Sequence, residues 1–184
     1  MQIEELIATR RTVHEFAAAP IPDGAVDRSL AAAHWAPNHK LTWPWRFTKV
    51  GPKARAQLIE IGIALKSAKR QLPPEMVKKL RAKLGNPAEL VVVSQMRSED
   101  GFRSREDYGA VACAIQNMTL SLWSEGISTK WGTGGITRHD KTYALLGIDG
   151  NTEEIVGFIW IGHPVRPSKA PQRPPLADVI REVP

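Results

Sequence analysis

The sequence predicts an α+β fold in which a small mixed β-sheet is flanked by helices. Three observations carry the prediction. Stretches with helical spacing outnumber stretches with strand-like alternation. The two kinds fall in runs rather than in strict βαβ order. The chain has 184 residues and is 42% hydrophobic, the size and apolar content of one conventional domain. Neither a Gly/Ser linker nor an internal repeat interrupts it, so residues 1–184 are expected to form a single domain.

Ile3, Leu6 and Ile7 predict a first helix over residues 2–10 that delivers Arg10 and Arg11 at its end. Pro20 and Pro22 break the chain. Asp23 is the expected N-cap of a second helix, whose apolar stripe is Val26, Leu30, Ala33 and Trp35. After a loop at Asn38, His39 and Lys40, the alternation of Trp45 and Phe47 with Arg46 and Thr48 predicts a half-buried strand. Helices over 53–69 and 74–84 are split by Pro73 and Pro74 and closed by Gly85, Asn86 and Pro87. Glu89 to Gln95, built on Val91, Val92 and Val93, reads as a fully buried central strand.

From Arg105 to Glu125, the residues Tyr108, Val111, Ala112, Ile115, Met118, Thr119 and Leu122 keep a 3.6-residue period, which predicts a long core helix with Gly126 as its C-cap. Ile127 to Trp131 is a short strand opening into Gly132, Thr133, Gly134 and Gly135. A helix from about His139 to Leu146 and a strand from Ile155 to Ile161 follow. Five prolines from Pro164 to Pro175 then impose an extended C-terminal arm, with a short helix near Leu176 to Arg181.

Composition excludes several functions. No apolar window approaches the roughly 20 residues needed to span a bilayer, so no membrane association is expected. Gln2, Glu4 and Glu5 replace the basic start of an export signal, and the single cysteine fits a reducing compartment, so the expected location is the cytoplasm. Cys113, among Val111, Ala112, Ala114 and Ile115, is expected to be a buried thiol. The formal charge of +6 comes largely from the stretch between Arg46 and Lys83, where only Glu60 and Glu75 oppose the basic residues. Without aromatic residues between Gln57 and Leu84 to stack on bases, this stretch reads as a solvated helical face rather than a nucleic-acid site. The five histidines lack metal-ligand spacing, so no metal site is expected.

What remains is a set of groups suited to a phosphorylated ligand. Arg10, Arg11 and Thr12 put two guanidinium groups and a hydroxyl at one helix end, and arginine binds phosphate through paired, charge-assisted hydrogen bonds. A basic helix end complementing the C-terminal dipole accounts for the same residues equally well. The Gly132–Gly135 loop lets backbone N–H groups approach a ligand closely.

The opening ELIATRRTVHEF, then PIPDGAVDRSLAAAHWAPNHK and WPWRFTKV, resembles the first third of the FMN-dependent nitroreductase family. YGAVACAIQNMTLSLWSEGISTKWGTGG resembles that family's central dimer helix and the segment after it, and EEIVGFIWIGHP with RPSKAPQRPPLADVI resembles its closing strand and arm. The resemblance implies a nitroreductase-like fold, a homodimer, FMN as cofactor and NAD(P)H as co-substrate. It implies hydride transfer to a small electron-poor acceptor, such as a nitroaromatic or quinone, by ping-pong turnover, with no side chain required as acid or base.

Carried over by position, Arg10, Arg11 and Thr12 correspond to the groups that grip the FMN phosphate, ribityl chain and pyrimidine edge. Trp35 and His39 correspond to contacts around the loop after the second helix, partly from the other subunit. Trp131, Gly132 and Thr133 correspond to the segment lining the cofactor from the partner chain, and Arg173 to a C-terminal basic residue that meets the phosphate. Leu41 and Trp43 depart from the pattern, since many members place Asn and Gln there; His39, Lys40 or backbone groups are left to hold the flavin edge. Other reactions of the same superfamily, dehalogenation or flavin fragmentation, are the alternative within this resemblance, with the basic helices from Lys53 to Lys83 as the candidate lid. A non-enzymatic nucleic-acid-binding protein is the alternative outside it.

Overall fold

The computed structural model describes residues 2–68 and 70–183. Lys69, where the sequence puts the end of the third helix, lies outside the described residues. The elements run α1 (Ile3–Thr9), α2 (Ala25–His34), β1 (Trp45–Lys49), α3 (Pro52–Ser67), α4 (Pro74–Gly85), β2 (Glu89–Met96), α5 (Gly101–Ser124), β3 (Ser128–Gly132), α6 (Asp140–Leu146) and β4 (Glu153–Gly162). Short 3₁₀ turns lie at His39–Leu41, Gly135–Arg138 and Leu176–Val179, the last being all the regular structure of the described arm. No helix among the described residues is long and apolar enough to cross a membrane.

The four strands form one sheet in the order β1-β2-β4-β3, and every pairing between them is antiparallel. The expected mixed sheet is therefore corrected. Among the described residues its one parallel feature is an isolated bridge between Thr12 and Thr129. Side chains alternate across β2, so Val91 and Val93 pack beneath α2 and α5 with Ile159 and Ile161, while Leu90 and Val92 pack with Leu58 of α3, Phe158 and Trp160 on the opposite face. Helices cover both faces, which is why an antiparallel strand reads as one uninterrupted apolar run.

Several local expectations are also corrected. The N-cap of α2 is Gly24, at φ 73°, and not Asp23; the left-handed turn leaves the Asp23 carbonyl accepting from Arg28 Nη1 at 3.2 Å. α5 starts at Gly101 because Asp100 caps it, its carboxylate accepting from the backbone N–H groups of Phe102 (2.9 Å) and Arg103 (3.3 Å). Its C-cap is Glu125, with Gly126 following in the left-handed region at φ 74°. Along α5 the buried line is Asp107, Ala110, Val111, Ala114, Ile115, Met118, Thr119 and Leu122. Tyr108 and Cys113 lie off that line and are exposed, so the thiol is not buried. Trp35, expected in the stripe of α2, is 87% exposed because it caps the helix C-terminus, where the chain turns outward.

One half-buried charge links α3 to the end of α4 and the turn before β2. Arg55 of α3 donates to the carbonyls of Ala88 (3.0 Å), Leu84 (3.3 Å), Gly85 (3.1 Å) and Pro87, and sits 5.9 Å from the ring centre of Trp160. These are carbonyls that the end of α4 and the following turn leave without helical partners. Burial pushes the guanidinium below the usual arginine range, opposed by Glu89, yet the group stays charged at any physiological pH. Arg55→Met keeps the stem and strips the donors. The expected loss is about 3 kcal/mol, seen as a Tm lower by about 6–12 °C. An unchanged Tm would mean that water replaces the guanidinium without penalty.

Candidate functional site

α1 ends because Arg10 leaves helical geometry, at ψ 132°, while its backbone N–H still donates to the Leu6 carbonyl. The chain then runs beside the outer edge of β3, where the Val13 N–H donates to the Thr129 carbonyl at 3.0 Å. Arg10 and Arg11 are half-buried and Thr12 is exposed. Arg11 Nη1 donates to the Arg10 carbonyl at 2.7 Å, and the arm returns to this point, with Ser168 Oγ 3.5 Å from the Thr12 carbonyl oxygen. The arm brings Arg173 into the field of Arg10, whose guanidinium is held below the usual arginine range first by burial, then by the charges of Arg11 and Arg173. Among the described residues no carboxylate forms an ion pair with any of the three. The structure thus unites four of the expected site residues in a basic cradle that lacks a counter-charge.

Trp131 and Gly132 end β3 of the same protomer and Thr133 follows it. The Trp131 indole lies across Gly157 and donates from Nε1 to the Val156 carbonyl at 3.3 Å, fixing the strand that the Gly132–Gly135 loop leaves. Thr133 lines a polar cavity with Gln95, Ser104, Arg105 and Arg138. Gly132, Gly134 and Gly135 line another, of about 430 Å³, floored by Ile136, Phe158 and Trp160 and edged by Lys66, Lys83 and Lys130. These lysines did not emerge from the sequence. The available signal was Lys130, a charge inside the period-two alternation of a strand.

Trp35 and His39 lie elsewhere. His39 Nδ1 is 2.8 Å from Glu106 Oε1 near the start of α5, whereas Trp123 near its end donates to Thr9 Oγ1 at 3.1 Å, next to Arg10. Seventeen residues of helix at 1.5 Å each separate the two anchor points by about 25 Å. One protomer therefore does not bring His39 to its own Arg10. The loop between them is constrained: Asn38 Oδ1 accepts from the Trp43 N–H at 2.7 Å, and Thr42 Oγ1 donates to the buried Asp107 at 2.5 Å. This holds Lys40, Leu41 and Trp43 at φ 60°, 51° and 46°. Three non-glycine residues in the left-handed region store strain of the kind that accumulates at binding sites.

The basic stretch is an exposed face, part of which pairs within the protein. Lys49 pairs with Asp27 at 2.7 Å, Arg81 with Glu60, and Arg46 with the carbonyls of Trp43 and Trp45 at 2.9 Å. Lys66, Arg70, Lys79 and Lys83 instead line cavities. Among the described residues no cluster of three or more His, Cys, Asp or Glu side chains could hold a metal.

The chain is similar to known proteins along most of its length. A model of the nitroreductase family matches residues 7–163. The Bacillus subtilis protein YfhC, a candidate NAD(P)H nitroreductase, is 30% identical over 185 residues, covering 98% of this chain and 94% of that protein. A nitroreductase-like family protein from Bacillus cereus superposes with a TM-score of 0.86 at 24% identity, over 100% of this chain and 96% of its own. The FMN and NADPH-dependent nitroreductase NfnB, from sphigopyxis sp. strain HMH, does so with a TM-score of 0.82 at 15% identity, over 99% of both chains. With a family model spanning most of its length and a relative of this identity along nearly all of it, the chain belongs to the nitroreductase family and is an oxidoreductase.

Proposed function

We propose that the protein is a homodimeric, FMN-dependent NAD(P)H oxidoreductase acting on a small electron-poor acceptor. The observation that carries this reading is the cradle of Arg10, Arg11 and Arg173, where the charges of Arg11 and Arg173 act on the half-buried Arg10 guanidinium and, among the described residues, no carboxylate pairs with any of the three. A phosphate ester fits that need better than a carboxylate, since it offers more acceptor oxygens and up to two charges. Arg10, Arg11 and Arg173 hold the phosphate, Thr12 takes a ribityl hydroxyl, and Trp131, Gly132 and Thr133 lie along the ring. When bound, FMN supplies the hydride chemistry, taking two electrons from NAD(P)H and passing them to the acceptor. The name of NfnB, which joins FMN and NADPH, supports the same pairing here.

The separation along α5 supports a dimer. A twofold axis across α5 brings the His39 end of one chain to the Arg10 end of the other, completing a site that neither protomer holds alone. Exposed Phe102, Tyr108, Cys113 and Trp35 supply the apolar surface for that contact, and Leu176, Val179 and Ile180 of the arm extend it. Such an interface buries more than about 2,000 Å². Donor and acceptor then take turns over one exposed face, giving ping-pong kinetics. The test is anaerobic: FMN-loaded protein mixed with NADPH or NADH loses its visible flavin absorption and regains it on addition of a quinone or nitroaromatic. Flavin that stays oxidised with both donors would overturn the oxidoreductase assignment made here.

A further inference from the structure

Resting on the function proposed above, we infer that the acceptor is an anionic aromatic molecule, whose ring enters the cavity beside the Gly132–Gly135 loop and whose acidic group is held by Lys66, Lys83 and Lys130. The cavity holds about 430 Å³, ample for one substituted ring, and its floor of Ile136, Phe158 and Trp160 is apolar. Among the described residues no aspartate or glutamate lines it. Among the described residues none of the three lysine ammonium groups has a hydrogen-bonded or ion-paired partner.

The lysines come from three elements, α3, α4 and β3, so neither a helical charge stripe nor local sequence accounts for their meeting. Lys130 is half-buried, and its ammonium is held below the usual lysine range by burial first, then by the charges of Lys83 and Lys66. Arg11 and Arg173 act on Arg10, and Lys83 and Lys66 on Lys130, so each cluster has its own set of neighbouring charges, although the two segments adjoin at the bridge between Thr12 and Thr129. FMN has one phosphate, assigned above to the first. Among the described residues no carboxylate pairs with the second cluster, in which Lys66 and Lys83 are exposed and Lys130 is half-buried, and an anionic second ligand supplies the missing charge. A neighbouring groove lined by Lys66, Arg70, Lys79 and Lys83, with Leu72, Met76 and Leu80, continues the same positive potential outward, which steers anions toward the cavity.

The experiment compares 4-nitrobenzoate with its methyl ester, which share ring and nitro group and differ by one charge, on the FMN-loaded protein. The ratio of kcat/KM for the carboxylate over the ester is expected to exceed about tenfold at low salt and to shrink as ionic strength rises. In Lys83→Gln, an exposed position that the fold tolerates, and in Lys130→Met, the ratio falls about tenfold or more, the loss expected for one charge-assisted contact. A readout independent of turnover is the Tm of FMN-loaded protein with the non-reducible 2-naphthoate, which rises in the wild type and not in Lys130→Met. Without ligand, Lys130→Met itself raises Tm, because it removes a crowded, half-buried charge.

A ratio near one, or variants that slow both acceptors equally while shifting the flavin potential, would overturn the inference and assign the lysines to the cofactor. Variants that change only NADPH against NADH discrimination would overturn it in favour of the donor's 2′-phosphate. Failure of flavin binding instead sinks the underlying function, and is read separately from the naphthoate shift.

Discussion

FMN binds about 10²- to 10³-fold more weakly when Arg10 and Arg11 are both replaced by alanine. Each guanidinium contributes a charge-assisted hydrogen bond to phosphate worth about 1.5–3 kcal/mol, or roughly 10- to 100-fold, and neighbouring groups on one anion combine less than additively. Quenching of flavin fluorescence measures the change. Riboflavin, which lacks the phosphate, serves as the control: its weaker affinity is expected to be the same in the wild type and the double variant. The flavin-free variant keeps its Tm or gains slightly, since the wild-type cradle carries like charges with no carboxylate among the described residues paired to them. A variant that loses riboflavin and FMN alike would place these arginines in the architecture rather than at the phosphate. Arg10→Lys distinguishes charge from geometry, because it retains the cation and forfeits bidentate binding.

Gly157→Ala is expected to be the most damaging single methyl addition near the site. Gly157 pairs with Val93 in the centre of the sheet beside a register shift between Val93 and Ser94. A Cβ there would overlap Nε1 and Cδ1 of Trp131 and approach the Gly132 carbonyl oxygen to 3.2 Å. The indole is half-buried over the main core and cannot withdraw without opening a void or exposing the ring. The expected loss is about 3 kcal/mol or more, lowering Tm by about 6–12 °C, with FMN affinity falling too as β3 and the Gly132 loop shift. Combining Gly157→Ala with Trp131→Ala removes the overlap, so the double variant is expected to be more stable than the sum of the single losses predicts. Additive losses in urea titrations would show that Trp131 is not what forbids a side chain at 157.

Much of the fold was legible because its determinants are local. The three valines of β2, the prolines that bound α3 and α4, and the 3.6-residue line of α5 each place an element without knowledge of its neighbours. Strand direction was not legible, since an uninterrupted apolar run reports burial on both faces and is silent on pairing. Trp35 was misplaced because it caps α2 where the chain turns outward, and Cys113 and Tyr108 for a reason they share. α5 is apolar around most of its circumference, so periodicity alone does not tell the face that meets the sheet from the face left for another chain. Arg10, Arg11 and Thr12 could be read together because they are adjacent. That Arg173 joins them depends on the path of the arm, and that Lys66, Lys83 and Lys130 converge depends on the packing of three elements distant in sequence. The constrained loop from Asn38 to Trp43 was likewise invisible, because its left-handed residues are not the glycines or asparagines that announce such turns.

The central claim is that the Arg10–Arg11–Arg173 cradle binds a flavin by its phosphate. The direct measurement is a titration of the wild-type protein with FMN and, separately, with riboflavin, followed by visible absorption and fluorescence. FMN is expected to saturate at one per chain and to bind about 10²-fold or more tightly than riboflavin. Equal affinity for the two flavins, or no saturable binding of FMN, would contradict it.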